Sequence, residues 1–236
     1  MKTKNMKNIS NLLVAVSMLF LITTVSAQNT NLRWAFTTGN TSNLDQGSSI
    51  TTDASGNIYT AGSFVGSVNF GTVNLSTATG TSAGMFVQKQ DKTGNVVWAV
   101  KVSTTTANSP VTANSVKLDA VGNVYIVGQF RNTSDFDPSG GVNNLTSAGN
   151  FDAFVLKLNN SGVFQWAKSF GGSALDVARD VAVNTAGVYI TGYFNGTADF
   201  DPVGTYTVTS AGGEDIFVSQ LDPANGNFIA AYPSGD

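Results

Sequence analysis

Apolar and polar residues alternate along this chain in short runs, and the runs come back in register. In Val124–Phe130, Val124, Ile126 and Phe130 share one face of an extended segment while Tyr125 and Val127 share the other. A strand that is apolar on both faces is one covered from both sides. Ile58–Phe64 and Val188–Phe194 have the same form, and their tyrosines Tyr59, Tyr125 and Tyr189 stand 66 and 64 residues apart. Ahead of each lies a shorter run, Ser49–Thr52, Ser115–Leu118 or Asp180–Val183. A third run opens Phe-Val in every copy, at Phe86–Gln90, Phe154–Leu158 and Phe217–Leu221. A fourth follows at Val96–Val102, Val163–Phe170 and Asn227–Tyr232, with Trp98 and Trp166 in the first two.

Turn chemistry separates these runs. Asp53–Gly56, Asp91–Gly94, Asp119–Gly122, Asn159–Gly162, Asn184–Gly187 and Asp222–Gly226 each begin with Asp or Asn and end with Gly. The Asx side chain caps the bend and the glycine takes the positive φ of a bulged hairpin. Four short antiparallel strands per repeat of about 65 residues predict an all-β fold of β-propeller type. Three four-stranded blades are expected, at residues 38–102, 103–170 and 171–236, forming an open or partial propeller. A sandwich of about twelve strands is the competing architecture, but it gives no reason for turns that recur in register. Asn31–Thr37 reads as a further strand ahead of the first blade, since its Trp34-Ala35 matches Trp98-Ala99 and Trp166-Ala167. Three blades do not close a ring, so a truncated array is expected, with open blade edges that invite self-association.

The first 27 residues differ from the rest. Lys2, Lys4 and Lys7 precede an apolar run from Leu12 to Val25, and Val25-Ser26-Ala27 supplies compact residues after it. That is the order of a secretory signal peptide, with cleavage expected after Ala27. Polar Thr23, Thr24 and Ser26 come too early for a membrane span. The expected location is therefore secreted or at the cell surface, with no membrane span after cleavage. Cleavage removes three of the 12 basic residues and none of the 15 acids, leaving 9 against 15 and a net charge of −6. No basic patch offers itself to nucleic acid.

The chain has no histidine and no cysteine, so Ser-His-Asp and Cys-His nucleophilic sites cannot be built, and ordinary zinc sites fall with them. The expectation is a protein without catalysis. The remaining candidate chemistry is acidic. Asp135 and Asp137 alternate ahead of Pro138, Asp199 and Asp201 ahead of Pro202, and Asp152 and Asp215 precede the third strand. The first module has Asn69, Gly71 and Gly84 at these places. Hard oxygen ligands lost as a group are what a calcium site would show; turn capping is the plainer reading of the same residues. Trp98 and Trp166 are open to two readings, stacking on a sugar and packing between blades.

One combination is specific as a set: Phe136-Asp137-Pro138, then Leu145–Gly149, Asp152-Ala153-Phe154, Gly162 and Trp166-Ala167-Lys168. It resembles the SBBP family of bacterial β-propeller repeats, and the resemblance runs over essentially all of residues 28–236. The resemblance implies a long exported repeat protein of a kind that often ends in a sorting domain for type IX secretion, and it implies no activity. The expected role is an extracellular interaction or scaffold module for a protein partner. A glycan-binding propeller is the alternative, and a polysaccharide hydrolase or lyase a more distant one.

Overall fold

A computed structural model describes residues 45–77, 82–104, 106 and 108–234. Residues 1–27, where a signal peptide is expected, and Asn31–Thr37 lie outside them. The described residues form sixteen strands and no helix. In module 1, β1 (Gln46–Thr52), β2 (Ile58–Phe64), the short pair β3 (Ser67–Phe70) and β4 (Val73–Ser76), β5 (Gly84–Gln90) and β6 (Val96–Val102) follow in order. Module 2 has β7 (Val111–Leu118), β8 (Val124–Phe130), β9 (Thr133–Asp135), β10 (Asn144–Thr146), β11 (Asp152–Leu158) and β12 (Phe164–Gly172). Module 3 has β13 (Val177–Asn184), β14 (Gly187–Asp199), β15 (Thr207–Leu221) and β16 (Phe228–Ser234).

Each module is a four-stranded antiparallel meander, paired β1-β2-β5-β6 and β7-β8-β11-β12, with β13-β14-β15-β16 in the third. The end of β12 overshoots its own module and pairs Gly171 and Gly172 with Asp199 and Ala198 of β14. No sheet closes among the described residues. The connection between second and third strands, which reads as irregular in sequence, is a small hairpin: β3–β4, β9–β10, and in module 3 the outer halves of β14 and β15.

Five of the six turn glycines take the positive φ expected of them, from 72° at Gly226 to 92° at Gly94. Gly187 does not. The turn after Asn184 is one residue shorter than its counterparts, so Gly187 pairs directly with Asn184 as the first residue of β14. A Cβ there would still lie 2.8 Å from the Gln220 amide.

The first strands begin earlier than the alternation suggests, because each carries a β-bulge: between Gly47 and Ser49, Ala113 and Ser115, and Ala178 and Asp180. The bulge reverses the alternation upstream of it. Opposite the bulge stand Gly62, Gly128 and Gly192.

The core lies between modules. One cluster joins Tyr59, Ala61, Met85 and Val87 of module 1 to Val124, Ile126, Phe154 and Leu156 of module 2. A second joins Tyr125, Val127 and Val155 to Val188, Ile190 and Phe217 of module 3. Strands β8 and β11 are accordingly buried along both faces. Each small hairpin is held by one phenylalanine. Phe70 lies against Phe86 at 4.9 Å between centroids, Phe136 against Phe154 at 5.0 Å, and Phe200 against Phe217 at 5.0 Å.

Candidate functional site

The six Asx turns cluster their chemistry at one end of each module. Asp119 accepts from the Val121 and Asn123 amides at 3.0 and 2.9 Å through one oxygen. Its other oxygen takes the Asn123 side-chain amide at 2.7 Å and the Tyr125 hydroxyl at 3.3 Å. Asp53 makes the same four bonds with Ser55, Asn57 and Tyr59. These donors outweigh the modest burial of Asp53 and hold its carboxyl below the ordinary carboxylate range. Burial, and the charge of Asp119 beside it, push the Tyr125 hydroxyl up.

Between these turns run two grooves. The first, of about 440 Å³, lies between modules 1 and 2 and is lined by Asp53, Ser55, Tyr59, Lys89, Asp119 and Asn160 among others. The second, of about 470 Å³, lies between modules 2 and 3 and is lined by Ala120, Val121, Tyr125, Val183, Thr185 and Pro223 among others. They are repeat equivalents, since Tyr59 and Tyr125 take the same place, as do Asn160 and Pro223. Asp119, Ala120 and Val121 line both, so a single turn is the wall between them. The first groove is rich in polar groups; the second is mainly apolar.

The tryptophans do not line the grooves; they tie modules together. Trp98 donates its indole N–H to the Asn160 carbonyl at 3.1 Å, and Trp166 donates to the Pro223 carbonyl at 3.2 Å. A lysine on the neighbouring strand reaches the same oxygen: Lys89 to Asn160 at 3.5 Å and Lys157 to Pro223 at 2.7 Å. Each lysine also lies over the tyrosine ring of its own module, 5.1 Å from Tyr59 and 5.2 Å from Tyr125. The turn glycine of the next module faces the indole: a Cβ on Gly162 would come within 3.0 Å of Trp98, and one on Gly226 within 2.7 Å of Trp166. This Trp–Lys clasp uses the packing surface that stacking on a sugar would need. Trp166→Phe is expected to lower stability by about 1–2 kcal/mol, the worth of one part-buried hydrogen bond plus lost ring contact. Urea melts that leave the midpoint unchanged would show that the clasp contributes nothing.

The six candidate calcium ligands fall in two kinds of place. Asp135 accepts from the Asp137 and Asn143 amides at 3.0 and 2.8 Å, and Asp137 from Ser139 at 2.7 Å. In module 3 Asp199 accepts from Asp201 and Tyr206, and Asp201 from Val203 and Gly204. All four cap the tips of the small hairpins. Asp152 instead opens β11 and Asp215 stands at the equivalent place within the longer β15, where they accept from Ala148 at 3.0 Å and Ala211 at 2.8 Å. No group of three or more carboxylates comes together among the described residues. Each of the six carboxylates accepts at least one backbone N–H; melting curves in calcium and in chelator that differ by several degrees would support an ion held beside them, and identical curves would leave turn capping alone.

Asp152 has a partner the repeat pattern does not reveal. Asp176 stands just before β13, and the two carboxyls converge beside Gly171, whose Cβ would lie 2.7 Å from one and 2.9 Å from the other. They are 3% and 1% exposed. One oxygen of Asp176 accepts from the Gly172 amide at 2.6 Å, and one oxygen on each carboxylate has no hydrogen-bond partner. Burial raises Asp152 to about 7, with the charge of Asp176 adding to it and the Ala148 amide opposing. Burial raises Asp176 to about 6, opposed by the Gly172 and Asn195 amides. At the first junction Gly84 and Val111 hold these two positions.

Residues 35–63 match the family model of the SBBP β-propeller repeat. The matched stretch takes in β1 and most of β2, and its repeat equivalents begin at Ala99 and Ala167. The chain carries a β-propeller repeat of the SBBP family. It is also similar to an uncharacterized WD repeat-containing protein of Acanthamoeba polyphaga mimivirus, 27% identical over 227 residues. That match covers 84% of this chain and 15% of the relative, so the chain spans a small part of the protein it resembles. The modules are thus propeller blades, and the clasp is a contact from one blade to the next.

Proposed function

We propose that this chain is an exported, non-catalytic interaction module that recognises an extended segment of a protein partner across its turn end. The observation that carries the reading is the pair of equivalent grooves sharing the Asp119–Val121 turn. A peptide laid over that turn would place polar groups against Lys89, Ser55 and Asn160 and an apolar side chain against Val121, Val183 and Pro223. The tryptophans engaged in the clasp favour a protein partner over a glycan. The absence of histidine and cysteine supports a binding role. Export is supported by the lysines and apolar run of residues 1–27 and is tested by the N-terminus of the processed chain, expected at Gln28. Selection from a displayed peptide library is expected to return short amphipathic sequences. Their binding should fall at least tenfold with Val121→Asp, a change at a side chain 76% exposed. Hits on a glycan array with none from peptides would overturn the reading.

A further inference from the structure

Two loops from different blades meet over the Asp152–Asp176 pair. One leads into β11 of blade 2 and ends at Asp152; the other leads into β13 of blade 3 and ends at Asp176. The Asp176 amide donates to the Phe151 carbonyl at 2.8 Å and the Asn150 amide to the Ser173 carbonyl at 3.4 Å, while Phe151 and Leu175 form a parallel bridge. The pair therefore sits inside the junction, at the opposite end of β11 from the Asx turns and their grooves.

Each carboxyl is only half satisfied. Oδ2 of Asp152 accepts from the Ala148 amide and Oδ2 of Asp176 from the Gly172 amide, but Oδ1 of each is buried with no hydrogen-bond partner. The Asn195 amide favours the charged form of Asp176 without satisfying its Oδ1. No lysine or arginine among the described residues pairs with either acid. A carboxylate buried without a donor or a cation is among the most costly groups a fold can hold. A proton relieves it, and so does a metal ion. Gly171 leaves a space that both carboxyls border: Oδ1 of Asp152 lies 3.1 Å and Oδ2 of Asp176 2.7 Å from the place its Cβ would take. Blade packing does not demand the pair. At the first junction the same loop bond forms, from the Val111 amide to the Ala83 carbonyl at 3.0 Å, with Gly84 and Val111 in place of the two acids.

We infer that Asp152 and Asp176 hold one calcium ion between blades 2 and 3, each giving its unpartnered Oδ1 to the metal. Two carboxylates balance a divalent charge, and the donors are hard oxygens. Magnesium keeps several of its waters when it binds, for which a site this closed has little room; calcium accepts an irregular shell completed by backbone carbonyls. The ion fastens the junction at one end of β11, as the Trp166–Lys157 clasp fastens it at the other. Without the ion the pair falls back on protons. The inference rests neither on the grooves nor on the aspartates of the hairpin tips, so failure of one reading leaves the other standing.

Equilibrium dialysis of the purified chain against radioactive calcium at pH 8, where protons compete least, is expected to find one ion per chain with half-saturation at or below about 1 mM. Asp152→Asn and Asp176→Asn should each weaken binding at least tenfold, while Asp201→Asn, at a hairpin tip, should leave it within twofold. The melting temperature at pH 8 should rise by about 3 °C or more in about 5 mM calcium relative to chelator, and by less than half as much in magnesium. Circular dichroism of the variants in chelator separates a lost site from a lost fold, and the parent's own stoichiometry needs no variant. No ion retained by the parent at that calcium concentration would overturn the inference. So would an equal response to magnesium, or binding lost with Asp201→Asn and kept with Asp152→Asn.

Discussion

Gly128→Ala is expected to destabilise the protein by about 3 kcal/mol or more, beyond the usual range for an added methyl in a core. The new Cβ would lie 1.9 Å from the Thr112 carbonyl oxygen and 2.9 Å from a ring carbon of Phe154. A flexible side chain could retreat from such a contact. The Thr112 carbonyl cannot, because it belongs to a ladder strand fixed on both sides of the β-bulge at Ala113 and Ser115. The same clash awaits Gly62, 1.9 Å from the Gln46 oxygen, and Gly192, 1.8 Å from that of Val177. Glycine recurs here because the bulge turns a carbonyl into the space a side chain would occupy; none of the three has a positive φ. Gly213→Ala is the control, since nothing lies within 4 Å of its Cβ position and its φ is not positive. It should change stability by less than about 0.5 kcal/mol. Urea melts of the two variants that coincide would remove the steric account of the repeated glycine.

That glycine marks the boundary of what the sequence made legible. Its spacing, with Tyr three places before it and Phe two after, located the second strand of every blade. The reason for it lay in a bulge on the partner strand, where Gly47 in one module and Ala113 and Ala178 in the others give no signal of their own. The Asx-x-x-Gly turns were readable because both cap and glycine act within five residues. The small hairpins were not, since strands of three or four residues give too few alternations, and Asp135–Pro138 announces a turn without its flanks. Packing between blades was the better reading of Trp98 and Trp166, yet their acceptors lie 62 and 57 residues onward and the lysines share them only after folding. Asp176 was invisible for a different reason. Only one of the two blade junctions has the acid pair, so self-similarity points away from it. The Asp135, Asp137, Asp199 and Asp201 carboxylates drew attention as a repeated group, and their repetition follows from the hairpin tips they cap.

The acid pair gives the chain a pH dependence of unusual sign for a protein rich in Asp. Asp152 and Asp176 are raised to about 7 and about 6 in the fold, whereas in the unfolded chain both titrate near about 4. The folded state therefore keeps protons that the unfolded state has released, and stability falls as pH rises wherever the unfolded state binds fewer protons. The contribution is complete below about pH 4 and is lost as pH climbs through 6 and 7. Other carboxyls work in the opposite sense: Asp53 and Asp180 are held low by their hydrogen bonds despite some burial, and Asp91 by Thr93 and Asn95. Their stabilisation is lost only as pH falls below the ordinary carboxylate range. Between pH 5.5 and 8 the pair is nearly alone, because the chain has no histidine and no cysteine to titrate there. Moving from pH 5.5 to 8 should lower stability by about 3 kcal/mol, taking about 1.4 kcal/mol for each of the roughly two pKa units crossed. Asp152→Asn mimics the protonated acid in shape and removes the neighbouring charge from Asp176. It should flatten the profile and leave the variant more stable than the parent at pH 8. Denaturant melts at the two pH values check this directly, and a parent protein as stable at pH 8 as at 5.5 would mean that the two carboxyls are not held in a dry junction between blades.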